Sequence, residues 1–292
     1  MNKKEKWILI TPAVGILLGF GVTPLIYLIS LCVHRYSLLE PGSGYRYVGG
    51  GNFIEILFHG GTAGVRLLKS LSLTSIFVGG SLSLEVGVGI ILAIALSRAM
   101  AKHLEPIKGG LFIPMLIPPI IAGYMFKYLY DADLGLFNFF LDTLGFSKLH
   151  WITNPSLVMI SVITANWWQW MPFSFLVFFA GISSIPRQQI EAASIDGASN
   201  WQQIKYILLP NIKGVIFVVI LLRGVELFKT FDIVYALTEG GPGSATMVFS
   251  LVGYRLGFKY WEMGLAAAYA LFLLIIVNIF VVFLLQGLRK EV

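Results

Sequence analysis

Long apolar stretches dominate the sequence and restrict the folds open to it. They cover residues 7–33, 70–96, 111–130, 156–182, 215–237 and 263–287. Each is about as long as the roughly 20 mostly apolar residues that a helix needs to cross a bilayer core. In lipid the backbone must satisfy its own hydrogen bonds, which a helix does within one segment. We therefore predict an all-α membrane protein with six transmembrane helices, forming a single transmembrane domain over residues 1–292.

The composition agrees with a membrane protein and excludes several kinds of site. Hydrophobic residues make up 57% of the chain and charged residues 12%, against about 25% charged in soluble domains. No glycine precedes Lys-Ser or Lys-Thr, so a phosphate-binding loop for ATP is not expected on this chain. The histidines are scattered, so no metal site is predicted. No cluster of a nucleophile and a base indicates an enzyme, and no nucleic-acid partner is expected, because the excess of basic residues lies beside apolar spans.

Basic residues near the ends of the spans predict the orientation. Lys and Arg concentrate at both termini, between residues 98 and 108, and between residues 187 and 213. Cytoplasmic loops carry such an excess. We therefore expect a multi-pass protein of the cell (inner) membrane with both termini in the cytoplasm. Four basic residues fall on the opposite side and weaken the rule; they are Arg35, Arg46, Arg66 and Lys69.

Residues 183–210 form the longest block that mixes charges, amides and alanines. Pro186 suits the first position of a helix, and Gly197 suits its end. Ser199 and Gln202 have the spacing of a capping box that opens a second helix, which Pro210 stops or kinks. The pattern predicts a water-exposed helix, a glycine turn and another helix. Apolar residues at helical spacing, among them Ile190, Trp201 and Leu208, would form one side of this unit, which could press into a groove on another protein.

This block also carries a family resemblance. Glu191-Ala192-Ala193, three residues, Gly197, nine residues, Ile207, one residue and Leu209-Pro210 resemble the EAA motif of permease subunits of binding-protein-dependent ABC importers. The resemblance implies a type I importer permease fold in which residues 183–210 are a cytoplasmic coupling helix docked on an ATPase subunit. It implies no cofactor on this chain, with ATP and Mg bound by the ATPase subunits. The implied coupling residues are Glu191, Ala192, Ala193, Asp196, Gly197 and Ala198.

A second group of residues is similar to the carbohydrate branch of that family, the MalF-like sugar permeases. It comprises Thr238, Gly240-Gly241-Pro242, Thr246, Tyr254-Arg255, Phe258 and Gly264 to Ala268. The resemblance implies a sugar or oligosaccharide substrate, an extracytoplasmic solute-binding protein, a second homologous permease subunit and two ATPase subunits. It also implies substrate contacts at Gln169, Trp170, Phe173, Ser174, Arg223, Glu226, Leu227 and Thr230.

The residues themselves leave alternatives open at this polar region. Aromatic faces, amides and charged groups within two spans suit a sugar, whose C–H faces and hydroxyls need such partners. Alternatively, Arg223 and Glu226 neutralise each other, as do Lys229 and Asp232, within a buried structural interface. Glu85 lies in the middle of the second span. We favour the interpretation that the hydrogen bonds of Glu85 are satisfied at an interface with another helix, rather than that Glu85 is a proton relay.

The function predicted from the sequence is the transmembrane subunit of an ATP-driven importer for a sugar or oligosaccharide. An ion- or proton-coupled secondary transporter is the alternative, with Glu85, Arg223 and Glu226 as its relay. Such transporters usually show inverted repeats. No convincing internal repeat is present in this sequence.

Overall fold

The structure is a computed structural model and describes residues 3–40, 44–59, 64, 65, 67–98 and 109–289. The basic loop predicted between residues 98 and 108 lies outside these residues, apart from Arg98. The basic residue Lys290 also lies outside them. The described chain is mostly helical, in agreement with the predicted all-α class.

Short π-helical turns join several of the helices along the chain. In order, the helices are α1 (Lys3–Leu17), α2 (Thr23–Cys32), α3 (Gly51–Ile54), α4 (Leu67–Arg98), α5 (Ile113–Leu116), α6 (Pro119–Leu129), α7 (Leu136–Thr143), α8 (Val158–Ser183), α9 (Arg187–Ile195), α10 (Asn200–Gln203), α11 (Leu209–Asn211), α12 (Lys213–Lys229), α13 (Asp232–Thr238), α14 (Phe249–Tyr254) and α15 (Met263–Arg289). The π-helical turns are Leu18–Val22, Glu55–His59, Ile204–Leu208 and Arg255–Lys259. Two strands, β1 (His34–Arg35) and β2 (Arg46–Tyr47), form an antiparallel pair.

The chain groups into two compact units. The first is built from the described residues up to Ser70 together with Val252–Ile276. Within it, the Asn52 amide donates to the carbonyls of Cys32 at 2.8 Å and His34 at 2.9 Å. The first bond satisfies the carbonyl that ends α2, which lacks a helical partner, and the second satisfies a carbonyl of β1. Gly264 approaches the same turn so closely that a Cβ would collide with the His34 carbonyl.

The second unit comprises Leu71–Leu251 and the chain from Val277 onwards. Its core includes Phe175, Phe178 and Ile182 of α8, which pack with Leu208 of the following loop and with Ile212 just after it. All five side chains are at most 5% exposed. The apolar core therefore continues from the long helix α8 into the base of the loop at residues 183–210.

Length and composition identify candidate membrane spans among the described residues. Ile10–Cys32, Leu67–Arg98 and Met263–Gly287 are each long and apolar enough alone. Three further candidates are bent helix pairs. They are Gly109–Leu116 with Pro119–Leu129 at 101°, Val158–Ser183 with Arg187–Ile195 at 69°, and Asn200–Asn211 with Lys213–Lys229 at 61°. When each bent pair counts as one span, the number reaches the six that the sequence predicts.

Two of the predicted spans are broken near the same place in the fold. In the stretch 111–130, Ile117 and Pro118 adopt extended backbone, so α5 and α6 are separate helices. Proline disfavours helical geometry in the residue before it, which explains this break. In the stretch 215–237, Thr230 is extended and separates α12 from α13. Its carbonyl accepts a hydrogen bond from Ser250 Oγ at 2.6 Å instead of continuing the helix.

Helices α6 and α13 pack closely against each other. Gly123 makes the contact possible, because a Cβ there would lie 2.6 Å from the Ala236 Cβ and 3.0 Å from the Ile233 carbonyl. The two short helices that follow the breaks therefore form one packed pair.

A buried asparagine organises the loop between α6 and α8. Asn138 is 0% exposed. Its Nδ2 donates to the carbonyls of Asp131, Ala132 and Leu149, and its Oδ1 accepts from the Leu149 N–H and the Trp151 indole. One side chain thus satisfies backbone groups from both sides of α7. At the loop's start, the N–H groups of Asp133 and Leu134 donate to Asp131 and lower the pKa of its carboxyl group.

We predict that Asn138→Ala destabilises this loop by about 2 kcal/mol or more, because it leaves several buried polar groups without partners. The measurement is the thermal unfolding of the purified protein in detergent, combined with limited proteolysis of the loop. Asn154→Ala is the matched control, because Asn154 is exposed and its side chain accepts one local N–H, from Ser156. Equal unfolding temperatures for the two variants would contradict the role given to Asn138.

Candidate functional site

A buried ion pair lies at the centre of the second unit. Arg223 Nε donates to Glu85 Oε2 at 2.7 Å, and Arg223 Nη2 donates to Glu85 Oε1 at 3.0 Å. Glu85 is 0% exposed and Arg223 is 2% exposed. A charge buried at this depth is costly unless it is paired. The two hydrogen bonds provide that pairing and join α4 to α12.

Helix α8 contributes two more side chains to this pair. Asn166 Nδ2 donates to Glu85 Oε1 at 2.9 Å. The Arg223 guanidinium lies over the Trp170 ring, with its Cζ 4.3 Å from the ring centroid. Such cation–π stacking is favourable for arginine and fixes the plane of its guanidinium group. Three helices therefore hold Arg223 in one orientation.

An open cavity lies against this cluster. Its walls come from α8, from α12, and from the break between α12 and α13, with one residue at the start of α6. The lining residues are Pro119, Asn166, Trp170, Arg223, Glu226, Lys229, Thr230, Phe231 and Asp232. Six of these nine residues are polar or charged, in a part of the chain that is otherwise apolar.

The structure brings together half of the substrate-contact residues implied by the sequence. The ones that line the cavity are Trp170, Arg223, Glu226 and Thr230. The remaining four, Gln169, Phe173, Ser174 and Leu227, are not among the lining residues. Gln169 is 0% exposed, and its Nε2 donates to the Ile117 carbonyl at 2.6 Å. It therefore satisfies a carbonyl that the break after α5 leaves free.

Five lining residues were not named as substrate contacts from the sequence: Pro119, Asn166, Lys229, Phe231 and Asp232. Three of them are recognisable in the sequence, because Asn166, Lys229 and Asp232 are polar residues within apolar stretches. Intramembrane polar residues mark functional sites by default. Pro119 and Phe231 gave no such signal, because their position depends on the two helix breaks.

The charge pairing differs from the alternative drawn from the sequence. Arg223 is not paired with Glu226; it pairs with Glu85 on another helix. Glu226 instead pairs with Lys229 at 2.8 Å, and this second pair is about half exposed. Glu85 is 0% exposed, so it can balance the charge of the buried guanidinium where water cannot. The expectation that Glu85 is satisfied against another helix is confirmed.

The loop at residues 183–210 has the predicted helix, turn and helix. Pro186 precedes α9 rather than occupying its first position. Gly197 ends the turn with φ +79°, a value that favours glycine. Ser199 and Gln202 form the predicted capping box. Of the implied coupling residues, Glu191, Ala192, Asp196 and Gly197 are exposed, and Ala193 and Ala198 are half-buried.

The loop is anchored to the end of α4. Arg98 donates to Asn200 Oδ1 at 2.8 Å and to the Asn200 carbonyl at 3.3 Å. The side chain of Gln203 ties the two helices of the loop together by donating to Ser194 Oγ and to the Ala198 carbonyl. These bonds fix the loop to the helices beside it.

The apolar side of the loop divides between its own core and the surface. Leu208 is 2% exposed and belongs to the core of the second unit, so the expectation that it faces a partner together with Trp201 is wrong. Trp201 is 69% exposed, as are Ile195 at 87% and Tyr206 at 66%. The loop therefore presents its own group of large apolar side chains at the surface.

Within the described ranges, no group of three or more histidine, cysteine, aspartate or glutamate side chains is arranged to hold a metal ion. What the site offers is a set of hydrogen-bonding groups, aromatic surface and paired charges. This chemistry suits the binding of a polar molecule.

Comparison with known proteins places these features in a family. The family described as "Binding-protein-dependent transport system inner membrane component" matches residues 85–290. The trehalose/maltose transport system permease protein MalF of Thermococcus litoralis is 32% identical over 89% of this chain and 84% of its own length. The arabinooligosaccharides transport system permease protein AraP of Bacillus subtilis is 31% identical over 89% of this chain and 82% of its own.

A structural comparison agrees at the level of the fold. A chain of a bacterial ABC transporter involved in the import of the acidic polysaccharide alginate superposes with a TM-score of 0.83. The match covers 98% of this chain and 96% of that chain, at 23% sequence identity. The fold is therefore that of an ABC importer permease. Because the family match spans most of the sequence and these two relatives align over more than four fifths of their own length, the chain belongs to the family of inner membrane components of binding-protein-dependent transport systems.

Proposed function

We propose that this chain is one transmembrane subunit of an ATP-driven importer that translocates a sugar or oligosaccharide. An extracytoplasmic binding protein delivers the substrate to the cavity. A second homologous permease subunit completes the path, and two ATPase subunits bind ATP and Mg. This chain carries no cofactor, and both of its termini lie in the cytoplasm.

The observation that carries the proposal is the continuity between the cavity and the exposed loop. Helix α8 holds Trp170 at the cavity and runs to Ser183, directly before the loop. Helix α12 begins at Lys213, directly after the loop, and holds Arg223 at the cavity. A force applied to the loop therefore reaches both cavity walls through regular helices.

The loop is suited to receive such a force. Its exposed Ile195, Trp201 and Tyr206 offer apolar area for a groove on an ATPase subunit, and Glu191 offers an exposed carboxylate. Interfaces of this kind depend on a few large anchoring side chains with polar residues around them. The turn at Gly197 brings the two helices of the loop onto one docking surface.

The relatives and the cavity both support a carbohydrate. The named substrates of the relatives include trehalose, maltose and arabinooligosaccharides. In the cavity, Trp170, Asn166 and the Arg223 guanidinium supply an aromatic ring, an amide and N–H donors. Sugar-binding sites need these groups, because hydroxyl groups that leave water require new hydrogen-bond partners.

A secondary transporter receives little support from the geometry. Its relay would pass protons between Glu85, Arg223 and Glu226. Glu85 instead holds two hydrogen bonds from Arg223 and one from Asn166, and Glu226 pairs with Lys229. The three relay residues thus form no continuous chain of hydrogen bonds.

Transport by the reconstituted assembly tests the proposal. The chain is expected to co-purify with an ATPase, and uptake of radiolabelled sugar into proteoliposomes is expected to require internal ATP. A protonophore should leave this uptake unchanged. Uptake that a protonophore abolishes and ATP depletion spares would refute the importer and favour the secondary transporter.

Gly197 provides a test of coupling. We predict that Gly197→Val lowers sugar uptake while ATP hydrolysis continues, because φ +79° costs a β-branched residue about 1–2 kcal/mol or more. No neighbouring atom lies within 4 Å of a Cβ at this position, so crowding does not contribute. Gly197→Asn is the matched control, since asparagine tolerates this conformation better. Identical uptake by the valine and asparagine variants would contradict the requirement for this turn.

Trp170 provides a test of the cavity. We predict that Trp170→Ala lowers sugar-stimulated ATP hydrolysis by roughly tenfold or more, because it removes both cavity surface and the stack that orients Arg223. Trp170→Phe keeps an aromatic face and should retain more stimulation. Basal ATP hydrolysis and the amount of assembled complex serve as controls. Normal stimulation in the alanine variant would exclude Trp170 from the substrate site.

A further inference from the structure

Each positively charged residue of the cavity already pairs with a carboxylate. The lining residues include two cations, Arg223 and Lys229. An anionic substrate needs a cation whose charge is not yet balanced, because paired charges offer it little net attraction. The surroundings of each cation therefore decide whether the cavity can attract an anion.

Arg223 is balanced by a group that the cavity does not expose. Glu85 is 0% exposed and meets the guanidinium through two hydrogen bonds. This arrangement uses two of the five N–H donors of arginine. Glu85, which the cavity does not expose, thus balances the charge of Arg223. The remaining N–H donors of Arg223 can still bind a ligand.

Lys229 is balanced within the cavity itself. Its Nζ lies 2.8 Å from Glu226 Oε1. Asp232 adds a further carboxylate to the lining, and it accepts the backbone N–H of Ile233. Counting Glu85 behind the wall, the cluster contains two cations and three carboxylates. Its formal charge is negative, which opposes the entry of an anion.

Asn166 carries a buried hydrogen-bond acceptor that has no donor among the residues that the structure describes. Its Nδ2 faces the Glu85 carboxylate, which only accepts hydrogen bonds, so the orientation of the amide is fixed. Its Oδ1 is buried at the cavity wall without a partner. An unpartnered buried acceptor requires a donor. A hydroxyl group supplies one, whereas an ionised carboxylate or phosphate does not.

From these four observations we infer that the cavity binds a neutral, polyhydroxylated sugar unit and discriminates against acidic sugars. Glu85 is the positioning residue for this preference, because it holds the Arg223 guanidinium as a donor while cancelling its charge. The inference rests on the proposed function and adds the charge class of the substrate. The relatives do not decide it, since their names include sn-glycerol-3-phosphate as well as trehalose and maltose.

The first measurement compares neutral and acidic sugars on the unaltered assembly. The complex of permease and ATPase subunits, without the binding protein, is studied by equilibrium dialysis. The probes are neutral trisaccharides of glucose, galactose, mannose and xylose, and trimers of glucuronate, galacturonate and mannuronate. At least one neutral trimer is expected to bind, and the acidic trimers are expected to bind at least about tenfold more weakly. An acidic trimer that binds as tightly as the best neutral one would overturn the inference.

The second measurement assigns the preference to Glu85. Glu85→Gln leaves the Arg223 charge unbalanced, so the ratio of acidic to neutral binding should rise by about tenfold or more. Glu85→Asp keeps the carboxylate and should restore a ratio close to that of the unaltered protein. A purely structural role would lower the binding of both sugar classes by the same factor. An unchanged ratio in Glu85→Gln would therefore overturn the role given to Glu85.

The outcomes separate this inference from the function on which it depends. ATP-dependent uptake of an acidic sugar alone would retain the importer and overturn the neutral preference. Failure of every sugar in both classes to bind or to be taken up would refute the proposed function, and the inference would fall with it. If Glu85→Gln does not assemble, the comparison on the unaltered complex still decides the charge class.

Discussion

The second unit depends on the ion pair between Glu85 and Arg223. Either residue alone would be a charge buried in an apolar helix, at a cost of several kcal/mol. The pair removes most of this cost only if α4 and α12 keep one register, because the two hydrogen bonds need the guanidinium and carboxylate groups to face each other in nearly one plane. The Asn166 amide and the Trp170 ring extend the same requirement to α8. One interaction thus fixes the relative placement of three helices.

The cavity exists because two spans are interrupted beside this pair. Pro119 begins α6 after one break, and Thr230 and Phe231 lie at the other. Backbone that leaves a helix at membrane depth must find other partners or face a polar space. Gln169 supplies a partner for Ile117, and the cavity provides the polar space. The same interruptions that cost helical hydrogen bonds therefore create the site.

The sequence predicted features that depend on local chemistry and missed those that depend on packing. The apolar stretches, the turn at Gly197 and the capping box at Ser199 follow from short-range rules, and the structure contains them. No proline or glycine beside Thr230 predicts the helix break there. The break depends instead on the hydrogen bond from Ser250 and on the packing of α13 against α6. The partner of Arg223 lies 138 residues away, so local spacing pointed to Glu226 instead. Of the eight implied substrate contacts, four line the cavity and four do not.

The way in which the loop meets the helices decides how motion could pass between them. Leu208 and Ile212 are buried with Phe178 and Ile182, so the base of the loop shares a close-packed core with α8. Packed cores transmit displacement because they resist compression. Arg98 adds a polar contact from the end of α4 to Asn200. Helix α4 also carries Glu85, and α8 and α12 carry its partners. The loop thus contacts α4 and α8 directly and continues into α12, so it adjoins all three helices that carry the central ion pair and its partners.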